Sequence, residues 1–354
     1  MTRCPIGRPL SALALALLCA GCVAPGVSRE ELPGSPIAFR YRTPEEARRR
    51  AEDMADEARR EAETGPARAR PRRAGRNNLV AKPDDVSEIL SRLLGSAASD
   101  SRQNTGRLAL LDPATLEIEL VPSALRGSVP LAWSSDRQRL LFAQPGDGDF
   151  QIYEYDHPGR TSRRLTSGPF SHTQACYGPG GRIVVARVDP RRQPLVSFIA
   201  VSEPGGRGPY VRISGGDSDH TPACAPDGSA VAFVRELPPA RAEILVRAPV
   251  VEGRERRLAP GRHPTFSPNG EWLVFSAPVK RDQRLARVRL DGTGRSRLGT
   301  GPRTEARPTV SPDGGFVVYV ASEERLRRHL YLRRFDGSGD RILFADGDGE
   351  FPVW

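Results

Sequence analysis

Three histidines stand at comparable points of the chain, and imidazole commonly holds metals and moves protons near neutral pH. His172, His220 and His263 precede the second position of a recurring turn by seven, six and five residues. Because these distances differ, the three side chains are not expected to form one ring of metal ligands. The next copy of the turn has Arg307 at this point instead of histidine. The sequence thus predicts no catalytic residue, no metal ligand and no cofactor-binding residue.

Other catalytic signatures do not change this prediction. A Gly-x-Ser-x-Gly motif, which would place a serine nucleophile on a sharp turn, does not occur in the sequence. Acidic residues are scattered over every copy of the repeat, so no carboxylate pair can be singled out. The sequence therefore favours a protein that is not an enzyme.

The turn itself is the main organising signal of the sequence. Its five copies lie at residues 134–136, 178–181, 225–228, 267–270 and 311–314, and each precedes a short apolar run. Their second positions are separated by 44, 47, 42 and 44 residues. Proline presets φ, and Asp-Gly or Asn-Gly tolerates the positive φ of a tight hairpin. A period of this length, built from short β-type runs, is typical of propeller blades.

The two ends of the repeat region predict how the ring closes. The chain finishes Phe351-Pro352-Val353-Trp354, which matches the first strand of a further blade, and residues 107–112 and 116–120 match third and fourth strands. Joining these pieces makes one blade from both ends and removes exposed sheet edges. The fold class is therefore predicted to be all-β, a six-bladed β-propeller over residues 105–354, preceded by a helical and disordered N-terminal region.

Two cysteines occur just before the turn in consecutive blades. A disulfide between Cys176 and Cys224 would require Cα atoms within about 7 Å, whereas the inner strands of neighbouring blades are expected to diverge. The sequence therefore favours two separate small buried side chains, in positions where other blades have Trp133 or Phe266. A disulfide is the alternative if the protein resides in an oxidising compartment.

The repeat resembles the C-terminal propeller of the TolB family. The resemblance rests on Gln151-Ile152-Tyr153, on Arg163-Arg164-Leu165-Thr166, and on the turn Ser311-Pro312-Asp313-Gly314. It implies a six-bladed propeller over about residues 105–354, while the α/β domain that precedes the propeller in TolB has no matching pattern upstream. The repeat is also similar to propeller-shaped oligogalacturonate lyases, in which histidines hold a metal, and to propeller-capped serine peptidases.

The N-terminus resembles the signal peptide of a bacterial lipoprotein. Arg3 and Arg8 precede an apolar stretch that ends Leu18-Cys19-Ala20-Gly21-Cys22, too short to span a bilayer permanently. We expect residues 1–21 to be the signal and Cys22 to be lipidated; ordinary cleavage that leaves a free thiol is the alternative. Residues 22–44 are predicted to be a flexible tether. Val23 after the cysteine favours the outer membrane, facing the periplasm.

Residues 45–104 are predicted to contain two helices and a basic linker. The first helix begins at Thr43-Pro44 with a capping box closed by Glu46, is highly charged, and ends near Thr64. The linker carries Arg68, Arg70, Arg72, Arg73 and Arg76, which could lie against anionic headgroups. The second helix has an apolar stripe over residues 86–94, and either packs on the propeller or binds a partner.

The charge of the chain constrains its partners. The formal net charge is +10, and Lys82 and Lys280 are the only lysines among 53 basic residues. An exported protein does not normally meet nucleic acid, so we expect envelope anions, a protein or a peptide as partners. The predicted function is a non-enzymatic, lipid-anchored scaffold of the cell envelope that binds protein or peptide through its propeller. The alternative is a metal-dependent lyase or hydrolase acting on an envelope or extracellular polymer.

Overall fold

The ring of blades is the dominant feature of the computed structural model, which describes residues 27–64, 106–146, 149–192, 194–238, 241–280, 282–299, 304–322 and 328–354. Within these ranges the strands form six four-stranded antiparallel sheets. The first strands of adjacent sheets contact one another all the way around, including the last with the first. The predicted six-bladed β-propeller is therefore confirmed.

The strands follow the chain from blade to blade, and the blade built from both ends is called the closing blade. The closing blade contains β1 (Ile37–Arg42), β2 (Arg107–Leu111), β3 (Ile118–Leu120) and β24 (Asp348–Val353). Blades one and two contain β4 (Val129–Trp133), β5 (Arg139–Pro145), β6 (Phe150–Asp156), β7 (Thr161–Arg164), β8 (Ser171–Tyr177), β9 (Ile183–Asp189), β10 (Val196–Glu203) and β11 (Arg207–Arg212). Blades three and four contain β12 (Asp219–Cys224), β13 (Val231–Leu237), β14 (Arg241–Ala248), β15 (Arg254–Pro260), β16 (Arg262–Phe266), β17 (Trp272–Val279), β18 (Asp282–Arg289) and β19 (Ser296–Arg297). Blade five contains β20 (Thr304–Val310), β21 (Phe316–Ser322), β22 (His329–Arg334) and β23 (Arg341–Phe344). Helix α1 is Pro44–Thr64, and short 3-10 helices are Arg29–Glu31, Pro179–Gly181 and Pro204–Gly206.

The closing blade corrects the predicted tether over residues 22–44. Its strand order is β24-β1-β2-β3, so β1 supplies the second strand that the sequence had left unassigned. Ala38 pairs with Val353 on one side, and Ile37 pairs with Leu111 on the other. Ile37, Ala38 and Phe39 are fully buried, so these residues belong to the core of the propeller and not to a flexible segment. Pairing on both edges satisfies the backbone donors and acceptors of β1.

Apolar side chains pack mainly between adjacent sheets. The core between the closing blade and blade five contains Phe39, Val318, Leu332 and Trp354 among its buried residues. Val27 and Leu32, which precede β1, pack into the same core. The N-terminal part of the described chain is thus fixed to the propeller by hydrophobic contacts as well as by strand pairing.

Helix α1 begins directly after β1. The Glu46 amide donates to Thr43 Oγ1 at 3.3 Å and the Thr43 amide donates to Glu46 Oε2 at 3.1 Å, which forms the expected capping box. Ala47 and Arg50 are buried against the propeller, so the helix is anchored at its start and not solvated along its whole length.

Several predicted features lie outside the described residues: the signal peptide, Cys22, the arginines of the basic linker and the apolar stripe over residues 86–94. Among the helices that the structure describes, none has the length and apolar character needed to cross a membrane.

Candidate binding site in the central channel

The inner strands β4, β8, β12, β16, β20 and β24 surround the central channel. At the end where each inner strand runs into its turn, the channel widens into a cavity of about 530 Å³, here called the turn-end cavity. Its apolar walls consist of aromatic residues and prolines contributed by the ends of the inner strands: Trp133, Tyr177, Phe266, Trp354, Pro222, Pro264, Pro308 and Pro352. The repeat therefore builds the cavity wall, because each blade contributes the same segment.

A bulge in each inner strand sets the deep layer of the channel. In four blades the residue before the inner-strand proline has φ between 51° and 55°; these residues are Thr221, His263, Arg307 and Phe351. The strand register shifts at these points in blades three, four and five. A bulge adds one residue and redirects the side chains around it, and non-glycine residues held at such φ values cluster at functional sites.

Arg307 places positive charge at this deep layer of the cavity. Its guanidinium lies 3.9 Å from the centre of the Phe351 ring, an attractive cation–π contact. Burial, and then the positive charge of Arg328, lower the pKa of Arg307 to about 9. The side chain therefore remains a cation at neutral pH in a partly desolvated position.

Arg137 places a second cation at the rim of the cavity, on the turn of blade one. The corresponding turn residues in blades three, four and five are Gly228, Gly270 and Gly314, with φ of 72°, 72° and 75°. Arg137 adopts φ 60° and makes the same turn hydrogen bond, its amide donating to the Ser134 carbonyl at 2.9 Å. A side chain in this left-handed region costs roughly 1–2 kcal/mol.

The Arg137 side chain is partly buried and lines the turn-end cavity. Burial alone lowers its pKa to about 10, so it too stays charged at neutral pH. Within the described part of the chain, its guanidinium has no hydrogen bond or ion pair. The only side-chain carboxylate among the described residues lining the cavity belongs to Asp227, which already accepts bonds from the Ser229 amide and hydroxyl at 2.9 and 2.7 Å.

A disulfide crosses the cavity wall between blades two and three. Cys176 and Cys224 are bonded, with their Cα atoms 5.7 Å apart, so the prediction of two separate side chains is wrong. The error lies in the assumed divergence: inner strands are the parts of neighbouring blades that approach most closely at the channel. Bonding here fixes β8 to β12 beside the cavity.

The three histidines lie on the inner strands, and each has a hydrogen-bond partner within the protein. His172 Nδ1 lies 3.1 Å from Gln151 Oε1, and burial lowers the pKa of His172 to about 3. His220 Nε2 lies 3.0 Å from Glu236 Oε1, and His263 Nδ1 lies 3.3 Å from Ser276 Oγ. Over the described ranges, no group of three or more His, Cys, Asp or Glu side chains could hold a metal ion.

A charged cluster, which the sequence reasoning missed, occupies the opposite end of inner strand β24. Glu350 is 1% exposed and accepts hydrogen bonds from Arg40 Nε at 3.0 Å and Arg42 Nη1 at 2.9 Å, and it also pairs with Arg328. Arg50 of helix α1 reaches Glu350 and Asp348 at 3.4 Å each. Alternating arginines on β1 were the available signal, but only the strand assignment shows that they face β24.

This architecture defines a six-bladed propeller whose central channel opens into an aromatic, cationic cavity. The family model described as the TolB beta propeller domain matches residues 100–303. The chain therefore belongs to the TolB β-propeller family, as the repeat had indicated.

Solved structures support the same fold. TolB from Acinetobacter baumannii aligns with a TM-score of 0.59 and 19% identity, covering 70% of this chain and 62% of that one. A putative TolB from Agrobacterium tumefaciens aligns with a TM-score of 0.56 and 22% identity, covering 68% and 88% of the two chains. An uncharacterized protein of Agrobacterium fabrum is 28% identical over 117 residues, which are 29% of this chain and 40% of the relative. This chain therefore spans well under two thirds of that curated relative, and the likeness to the solved structures concerns the fold alone.

Proposed function

We propose that this protein is a non-enzymatic scaffold of the cell envelope that binds a protein or peptide partner in its turn-end cavity. The observation that carries the proposal is the cavity itself, whose volume of about 530 Å³ lies in the range typical of ligand sites. Its rigid walls of aromatic rings and prolines offer flat apolar surfaces, and its cations offer orientation. Aromatic residues and arginine are the side chains most enriched where proteins recognise one another.

The disulfide supports a location outside the cytoplasm, because such bonds persist in oxidising compartments. A lipobox-like sequence ending at Cys22 gives the same indication. In this proposal Cys22 anchors the protein in the outer membrane facing the periplasm, and the arginines at positions 68, 70, 72, 73 and 76 add attraction to anionic headgroups.

Photo-crosslinking in the envelope tests the proposal. A photoreactive amino acid at Ser135, an exposed turn residue that lines the cavity, should capture a protein partner. The matched control is the same group at Ile342, a 46% exposed residue on outer strand β23, which should not capture that partner. Equal capture at both positions, or none at Ser135, would contradict binding at the cavity.

Metal analysis of the purified protein distinguishes the enzyme alternative. A bound Mn, Zn or Ca ion at one per chain, lost when His220 is replaced by alanine, would favour a metal-dependent lyase or hydrolase. We expect no ion that depends on His220, since its imidazole already pairs with Glu236.

A further inference from the structure

The turn of blade one departs from the repeat at one position, and this departure indicates what the cavity binds. Blades three, four and five have glycine at the left-handed turn position, which avoids backbone strain, whereas blade one has Arg137 there. The backbone hydrogen bond of the turn is the same in all four blades, with N···O distances of 2.9 Å. Arginine is therefore not needed to make the turn, and its backbone conformation there costs more free energy than that of glycine.

The Arg137 side chain also forms no hydrogen bond or ion pair with the described residues. It is partly buried and, within the described residues, pairs with no carboxylate, hydroxyl or carbonyl oxygen. A cation that is partly withdrawn from water and has no hydrogen-bond partner in the protein gains nothing to offset that burial. Arg137 thus combines backbone strain with an unpaired charge on the rim of a cavity. This combination is expected of a side chain that binds a ligand.

The charge of the cavity selects the sign of that ligand. Arg307 adds a second cation at the deep layer, and the one side-chain carboxylate among the described lining residues, that of Asp227, is exposed and already hydrogen-bonded. Between rim and deep layer the wall includes the apolar side chains of Trp133, Trp354 and the inner-strand prolines. A small inorganic anion could not cover this wall, whereas a peptide segment carries apolar side chains and carboxylates together.

We infer that the turn-end cavity recognises an acidic peptide segment of a protein partner, with Arg137 pairing with a side-chain carboxylate at the rim and Arg307 attracting negative charge deeper in the channel. This inference rests on the proposed function and specifies its ligand. Guanidinium and carboxylate can form two parallel hydrogen bonds, which fixes orientation as well as sign.

Peptide binding to the full mature chain tests the inference. The probes are three sets of octapeptides, acetylated and amidated, that differ only in carrying glutamate, glutamine or lysine at two fixed positions among apolar residues. A fourth set has glutamine at those positions and a free C-terminal carboxylate. Fluorescence anisotropy should show preference for the glutamate set, decreasing with added salt.

Two variants distinguish peptide binding at the cavity from a general effect of positive charge and from a change in turn stability. Arg137→Gly should weaken binding of the glutamate set by about tenfold or more, the effect of losing one charge-assisted hydrogen bond. Its melting temperature should not fall, because glycine is the residue that other blades use. The control is Arg160→Gly, which removes an exposed arginine of the same blade, also at positive φ (53°), that pairs with Glu119 away from the cavity. It should leave peptide affinity unchanged.

Each other outcome contradicts a different statement. Binding without preference for glutamate, binding that requires only a free C-terminus, or equal loss in both variants would overturn the acidic-segment inference and leave the scaffold proposal standing. A melting temperature markedly lowered by Arg137→Gly would show that Arg137 serves the fold, which also overturns the inference. Failure of every peptide set, together with no crosslinked partner at Ser135, would overturn the proposed function itself.

Discussion

Replacing Trp354 tests how much closure of the ring contributes to the free energy of unfolding. It is 4% exposed, it packs in the core between the closing blade and blade five, and its indole N–H donates to the Ser35 carbonyl at 3.0 Å. Replacing a buried tryptophan by alanine costs about 3–5 kcal/mol, and the lost hydrogen bond adds about 1 kcal/mol. Trp354→Ala should therefore lower the free energy of unfolding by about 4–6 kcal/mol.

Urea unfolding followed by fluorescence and circular dichroism measures this loss, with Trp272→Ala as the control. Trp272 is a partly buried tryptophan on blade four, where Arg287 and Arg289 each lie 4.8 Å from its ring. Its replacement should cost only about 1–2 kcal/mol. Equal losses in the two variants would refute the reasoning. A separate early transition of the closing blade in wild type would also refute it, because the blades would then not depend on closure.

Three further predictions concern charge, redox state and attachment. Burial raises the pKa of Glu350, but the surrounding guanidinium groups of Arg40, Arg328, Arg42 and Arg50 hold it well below 4.5; its contribution is thus fully present above pH 4.5 and lost as the pH falls toward the lowered pKa. Glu350→Gln should cost about 3 kcal/mol or more at pH 7, and the difference from wild type should shrink at pH 3; a constant difference in urea midpoint would contradict this. Replacing Cys176 and Cys224 by serine, which opens a loop with a sequence separation of 48, should cost about 2–4 kcal/mol, and dithiothreitol should destabilise wild type but not the variant. Cys22→Ser should move the protein from the membrane to the soluble periplasmic fraction, and retention in membranes at high salt would argue against a lipid anchor.

The repeat made the ring predictable, because a four-stranded blade has a nearly fixed length and returns its turn at a fixed interval. Strand β1 was not predictable in this way. It occurs once, outside the period, and its partners Val353 and Leu111 lie far away in sequence. The composition of β1 does not indicate burial, because arginines such as Arg40 and Arg42 are usually exposed. They are buried here because both donate hydrogen bonds to Glu350.

The candidate site was only partly visible in the sequence. The turn Ser134-Ser135-Asp136 is followed by Arg137 where other copies have glycine, yet nothing in a linear repeat shows that Arg137 borders a cavity. The disulfide was missed for a geometric reason, because the spacing of inner strands depends on the whole ring and not on any one blade. Local sequence patterns thus predicted the strands and turns, whereas distances between residues across the channel could be known only from the folded structure.

The position of β1 decides how the ring would respond to a mechanical load. Strands β1 and β2 are hydrogen-bonded neighbours, although helix α1 and the rest of residues 43–106 lie between them in sequence. A pull applied upstream of Val27 would first load the contacts of Val27 and Leu32 with the core, and would then reach the sheet at β1, which β24 and β2 hold from both sides. The force would load these two rows of hydrogen bonds lengthwise, in shear, and would bypass residues 43–106. The tension that the ring can bear is therefore set by the pairing of β1 with β24 and β2.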